Sequence, residues 1–227
     1  MSETAVRQAF LDQAAICTAA GAPFTGRLCR LIGERLTADG AIGRRVLGWS
    51  GTPGHQGDAL PLRLMGGLHA LARSGRDAPL SAIYPPATTP DDKGVWAVVE
   101  RVLEEQGEVL SPWLDGPPQT NEVGRSAALM AGLLVLADRF HLPFALYELG
   151  ASAGLNTLLD RYAYRLGETA AGDSASPVRI DPIWTGASPP EAEVEVIRRA
   201  GVDRHPLDPR APATRQRLSA YVWADQR

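Results

Sequence analysis

The sequence predicts an α/β chain in which a helical domain precedes the opening part of a parallel sheet. Three observations predict it. Apolar residues recur at helical spacing through the first half. A short apolar run, Phe144 to Tyr147, follows Pro143 and runs into a glycine-rich turn, as a buried parallel strand does. From Glu122 onward the order is helix, strand, glycine turn, helix, which is the grammar of an α/β unit.

From Thr4 to Leu36 the apolar positions Val6, Phe10 and Cys17, then Phe24, Leu28, Leu31 and Ile32, predict a helical hairpin broken at Gly21 and Pro23. Trp49 to Asp58, rich in glycine, reads as a loop, and a third helix follows over Leu62 to Arg73. Pro79, Pro85, Pro86 and Pro90 make Ala78 to Gly94 an irregular surface connection, and a fourth helix spans Val95 to Glu105. Ser111 to Gln119, with Pro112, Pro117 and Pro118, reads as a second irregular connection and as the boundary between domains 1–118 and 119–227.

Beyond it, Thr120 or Asn121 can cap a helix from Glu122 to Phe140, apolar on nearly every face and therefore expected between layers. After the glycine turn a helix is expected from Leu155 to Tyr162. Tyr162 to Leu166 and Val178 to Trp184 are expected to pair as a hairpin inserted near 162–186. Val194, Val196 and Ile197 suggest another strand, and a last helix starts at Ala213 and runs toward the end of the sequence.

Composition narrows the function classes. With 227 residues, 44% hydrophobic and 22% charged, ordinary globular folding is expected. The net charge of −3 is spread along the chain without a basic stripe, which argues against nucleic acid and anionic membranes and toward a small-molecule partner. The N-terminal segment lacks the features of a secretory signal, and the longest apolar run, Ala127 to Ala137, is too short to span a bilayer, so a cytoplasmic address is expected. Cys17 and Cys29 read as reduced core residues. His55, His69, His141 and His205 are scattered, so no metal site is expected.

The chemistry-bearing segment is Glu148-Leu149-Gly150-Ala151-Ser152-Ala153-Gly154-Leu155-Asn156. Small residues let a ligand approach the main chain, and a helix starting at Leu155 would aim its unsatisfied N–H groups at a polar or anionic ligand group. An acidic residue ending a strand, followed by Gly-x-Gly-x-Gly, resembles the first motif of Rossmann-like S-adenosylmethionine-dependent methyltransferases. Glu148, Gly150 and Gly154 match it, and Ser152 stands where the pattern has its middle glycine. Downstream, Gly201-Val202-Asp203 with Pro206 looks like the family's second motif, whose acid accepts hydrogen bonds from the ribose hydroxyls.

That resemblance implies an incomplete Rossmann-like sheet over 119–227 and S-adenosylmethionine as cofactor, with an unidentified methyl acceptor. Gly150, Ser152 and Gly154 would hold the cofactor's amino-acid end, Asp203 its ribose, and Glu148 a polar group near the turn. Asn156 and Arg125 are further cofactor candidates, Arg125 as a grip on a carboxylate. The ribose ligand has a competitor in Glu168, which lies nearer the usual spacing from the turn.

A wider pattern comprises Gln119-Thr120-Asn121-Glu122 with Arg125, the turn itself, Asp160-Arg161-Tyr162-Ala163-Tyr164, and Pro206-Leu207-Asp208. It resembles a bacterial family catalogued as domain of unknown function 2332, and the resemblance spans most of the chain.

Two other readings use the same residues. Gly150-Ala151-Ser152-Ala153-Gly154 also satisfies Gly-x-Ser-x-Gly, the nucleophile elbow of α/β-hydrolases, with His205 as base and Asp173 or Asp181 as the acid between them. The helical first half lacks the strands that such enzymes build before the elbow. The third reading is a non-catalytic scaffold that keeps the turn without ligand affinity.

Overall fold

The computed structural model describes residues 2–87 and 90–225. The chain divides into two compact units, one comprising residues 1–119 and the segment from Arg215, the other Thr120–Thr214.

The first unit is helical: α1 (Glu3–Ala19), α2 (Pro23–Arg35), α3 (Ala41–Leu47), α4 (Leu60–Ser74), α5 (Ala78–Ile83), α6 (Asp92–Glu105) and α7 (Gly107–Leu114). The hairpin of α1 and α2 is broken where expected. Gly21 turns with a φ of +78° and Pro23 opens α2, where its missing N–H costs nothing. Phe10, Leu28, Ile32, Leu64, Leu68, Leu80, Val95, Leu110 and Leu114 meet in one core.

Three elements of this unit differ from the sequence expectation. The short helix α3 is unanticipated; it contributes buried Ile42 and Val46 from a segment also carrying Gly40, Gly43 and two arginines. Ala78 to Gly94 is not wholly irregular. Pro79 sits in the first turn of α5, and Asp77 caps that helix by accepting from the Leu80 amide at 2.9 Å. Pro112 lies inside α7 rather than in a loop. Burial of Leu110 and Leu114 on either side outweighs the hydrogen bond that the proline removes.

In the second unit a 3₁₀ turn (Val123–Arg125) leads into α8 (Ser126–Phe140), then β1 (Phe144–Leu149), a 3₁₀ segment (Leu155–Arg161), β2 (Ala163–Leu166), β3 (Thr169–Gly172), β4 (Arg179–Ile180) and β5 (Val196–Val202). Helix α9 (Pro212–Ala220) follows. Strands β1 and β5 pair in parallel, with Glu148 opposite Gly201 and Leu149 opposite Val202. The other sheet has the order β3-β2-β4, antiparallel between β2 and β3 and parallel between β2 and β4. Ala127, Met130, Leu134, Leu159, Tyr162, Tyr164, Leu166 and Ile180 form this unit's core.

The chain is thus a mostly helical α/β protein with two small sheets among the described residues, and no Rossmann sheet is assembled. Strand β1 is not buried on both faces as a central strand would be. Phe144, Leu146 and Glu148 face inward, while Tyr147 is 63% and Leu149 86% exposed. Helix α8 likewise has one buried stripe and an open face, with Leu129 52% and Phe140 53% exposed. The expected hairpin partner also changes. Gly167, with a φ of +65°, permits a tight reversal that pairs β2 with the adjacent 169–172 segment, while Pro182 limits the 178–184 run to the short parallel β4.

Candidate functional site

Strand β1 delivers Glu148 to the mouth of the turn, and the backbone then reverses through Gly150 at φ +74°, Ser152 at +51° and Gly154 at +72°. Ala151 packs directly on β5. A Cβ at Gly201 would stand 2.6 Å from the Ala151 Cβ, so the glycine opposite Glu148 is what allows the turn to lie this close.

Most of the turn's amides are spent on the protein. Gly150 and Ala151 donate to the Val202 carbonyl at 2.8 and 3.1 Å, and Gly154 donates to the Ala151 carbonyl at 2.6 Å. Ser152 donates to Asp203 Oδ2 at 2.8 Å, and Leu155 to Asn121 Oδ1 at 3.0 Å. The expectation that a helix N-terminus here would present its N–H groups to an anion therefore fails. The segment from Leu155 to Arg161 is a kinked 3₁₀ stretch rather than an α-helix, and Asn121, arriving from the chain before α8, satisfies its first amide.

Asp203 lies at the end of β5 beside this turn. Its second oxygen accepts from the His205 amide at 2.7 Å, and the Leu207 amide donates to the Ser152 carbonyl at 3.1 Å. The His205 and Ser152 amides hold the Asp203 carboxyl below the usual aspartate range, with the His205 imidazole adding to the effect. The carboxylate is thus a brace between strand end and turn, and each oxygen retains a second lone pair. Glu168, its competitor, is exposed in the tight β2–β3 reversal, where its amide donates to Ser188 Oγ.

Beneath the turn, a motif read from sequence only as part of a family pattern anchors the 3₁₀ segment. Asp160 takes a two-pronged salt bridge from Arg199 at 2.7 and 2.9 Å, and Arg199 also donates to the Thr157 carbonyl. The Tyr162 hydroxyl donates to the Leu155 carbonyl at 2.6 Å, and the Tyr164 hydroxyl lies 2.9 Å from the Leu159 carbonyl and 2.8 Å from Ser126 Oγ. Burial raises both phenols, Tyr164 to about 12, so neither is an acid at neutral pH. Side chains in this way hold the carbonyls of Leu155, Thr157 and Leu159.

Two polar atoms in this neighbourhood stay unsatisfied. Glu148 Oε2 and Asn156 Oδ1 are buried without a hydrogen-bond partner, and Asn156 as a whole is 5% exposed. Both residues line a groove of about 500 Å³ walled by Leu129, Gly132, Leu133 and Leu136 of α8 and by Leu146 of β1. Buried acceptors without partners are uncommon, because each forfeits its hydration.

Of the predicted site residues, Glu148, Gly150, Ser152, Gly154, Asn156 and Asp203 are assembled around one turn. Arg125 is not drawn into it by any ion pair with Glu148; its side chain is 61% exposed, 4.0 Å from Glu122. Among the hydrolase candidates, the 203–207 segment brings the His205 main chain alongside Ser152. Asp173 instead accepts from the Ala175 amide in a local turn, and Asp181 is exposed. Sequence reasoning missed the roles of Asn121, Asp160 and Arg199. Asn121 and Asp160 carried the signal of unusual polar residues beside apolar runs.

Among the described residues no cluster of metal-ligating side chains occurs, and no helix is long and apolar enough to cross a membrane. Searches of the curated proteins and of the solved structures give no match. Residues 7–227 match the model described as an uncharacterized protein conserved in bacteria, DUF2332, and the chain belongs to that family.

Proposed function

We propose that residues 120–214 carry a methyltransferase-type cofactor turn that binds S-adenosylmethionine and serves methyl transfer to an unidentified acceptor. The observation that carries this reading is the meeting of Asp203 with the Gly150–Gly154 turn at the carboxyl ends of the adjacent parallel strands β1 and β5. Ligands of open α/β sheets bind in the crevice beyond those strand ends.

The residues present fit the cofactor in part. Asp203 keeps one lone pair on each oxygen for ribose hydroxyls, while Glu148 and Asn156 offer acceptors without partners. The turn itself acts mainly through its small side chains and close approach, since most of its amides are already engaged. When bound, the cofactor would supply an electrophilic methyl group. The protein's share is positioning, which can lower the barrier substantially by holding reacting groups in line.

Calorimetric titration with S-adenosylmethionine and S-adenosylhomocysteine tests the reading. Saturable binding of both, lost in Gly154→Asp with the melting temperature checked, is expected. Absence of binding to the unaltered protein would remove it. A serine-directed fluorophosphonate probe that labels Ser152 would instead favour acyl-transfer chemistry.

A further inference from the structure

The groove beside the turn has a composition that selects one kind of ligand. Among the described residues lining it, Glu148 alone is charged, and the walls are otherwise leucines, small residues and the ring of Tyr147. Two of its lining residues each hold a buried acceptor without a hydrogen-bond partner, Glu148 Oε2 and Asn156 Oδ1. Tyr162 lies close enough for Glu148 to help raise its phenol, yet its hydroxyl proton is committed to the Leu155 carbonyl, so it leaves Oε2 unserved.

A donor must therefore come from outside. An anion would meet Glu148 without compensation, and a neutral apolar molecule would leave both acceptors bare. A protonated primary amine brings three donors and a positive charge, and an attached hydrocarbon or aromatic body would cover the leucine wall.

We infer that the α8–β1 groove is a binding site for a primary ammonium group carried on an apolar body, with Glu148 and Asn156 as its acceptors. The inference rests on the reading of residues 120–214 as a ligand-binding unit, and it uses the same Glu148 and Asn156 acceptors that this reading offers to the cofactor.

Gly132 supplies the control. It lies inside α8 and lines the groove, and a Cβ added there meets no atom within 4 Å, so Gly132→Leu projects a side chain into the groove without crowding the core. The same change improves helix propensity and is expected to leave the melting temperature unchanged or higher.

The experiment is calorimetry of the full chain with phenylbutylamine, phenylbutanol and phenylbutyrate, together with a separate titration of S-adenosylmethionine. The amine is expected to bind, with the alcohol weaker and the carboxylate inert. Glu148→Gln is expected to weaken the amine about tenfold, in keeping with a lost charge-assisted hydrogen bond, and Gly132→Leu to abolish its binding.

Equal binding of the three probes, or an amine affinity unmoved by both substitutions, overturns the inference, as does no amine binding at all. A dimer seen by light scattering that Gly132→Leu dissociates overturns it too, since a second copy would then occupy the groove. Amine binding without S-adenosylmethionine binding leaves this site standing and removes the cofactor reading; the reverse result does the opposite.

Discussion

Asp203, at the end of β5, braces the glycine turn. Its carboxylate ties the Ser152 and His205 amides together, and those bonds lower its pKa. A group whose pKa is lowered on folding contributes stability above its unfolded value, and that contribution fades as pH falls through the folded value. The Ser152 and His205 amide resonances are therefore expected to titrate together, with a midpoint below the ordinary aspartate value of about 3.9. Asp203→Asn should abolish that shared step. A titration at or above the ordinary value would contradict the brace.

Tyr164 makes a second case at this scale. Its hydroxyl is buried between Ser126 and Leu159, so Tyr164→Phe removes a buried hydrogen-bonding group from both and should cost about 1 to 2 kcal/mol in chemical denaturation. A change near zero would mean that water replaces the hydroxyl.

Among the elements, the 3₁₀ segment after the turn departs furthest from expectation. Its sequence, Leu155 to Arg161, has the apolar spacing of a helix, but the carbonyls of Leu155, Thr157 and Leu159 are taken by Tyr162, Arg199 and Tyr164. Arg199 arrives from β5, far away in sequence, while Tyr162 and Tyr164 reach back from the residues just after the segment, at spacings that a helical periodicity does not announce. The Asp160–Arg199 bridge joins the segment to β5 with the Asp160 side chain 14% and the Arg199 side chain 26% exposed. A double-mutant cycle of Asp160→Asn and Arg199→Met should show coupling of about 1 kcal/mol. Additive single effects would make the bridge incidental.

The same contrast explains what was legible. The α1–α2 hairpin, α4, α6 and β1 follow from periodicity and from Gly21, Pro23 and Pro143, all local signals. The turn was legible because Gly150 and Gly154 allow positive φ where bulkier residues resist it. Helices α5 and α7 were hidden because prolines in their segments read as breaks, whereas Pro79 serves a helix start and Pro112 is carried by core packing. The partners of the turn amides were invisible, since Asn121 and Asp203 lie far from it in sequence.

At the scale of the whole molecule, the first unit is closed by residues from the far end of the chain. Helix α2 has alanine at its N-cap, and Asp225 takes over by accepting from the Phe24 and Thr25 amides at 2.8 and 3.3 Å. Buried Ala224 joins the same core, and His69 of α4 meets the Ala220 carbonyl at 3.0 Å. Asp225→Ala is expected to lower the stability of this unit by about 1 kcal/mol, the usual worth of an N-cap. Thermal denaturation followed at the first unit's tryptophans would register it, and an unchanged midpoint would show that the terminal segment is dispensable.

The second unit has a different economy. Its polar networks tie the turn to β5 and to the 3₁₀ segment, yet α8 and β1 keep an apolar face uncovered and two buried oxygens unpaired. Such a combination is costly unless a ligand completes it.

The most direct measurement is a crystal of the protein soaked with S-adenosylmethionine. Density over Ala151, with the ribose hydroxyls against Asp203 and a donor within hydrogen-bond reach of Glu148 Oε2, is the predicted result. A well-occupied ligand elsewhere, or a turn that remains bare while Glu148 and Asn156 are paired by ordered water alone, would contradict it.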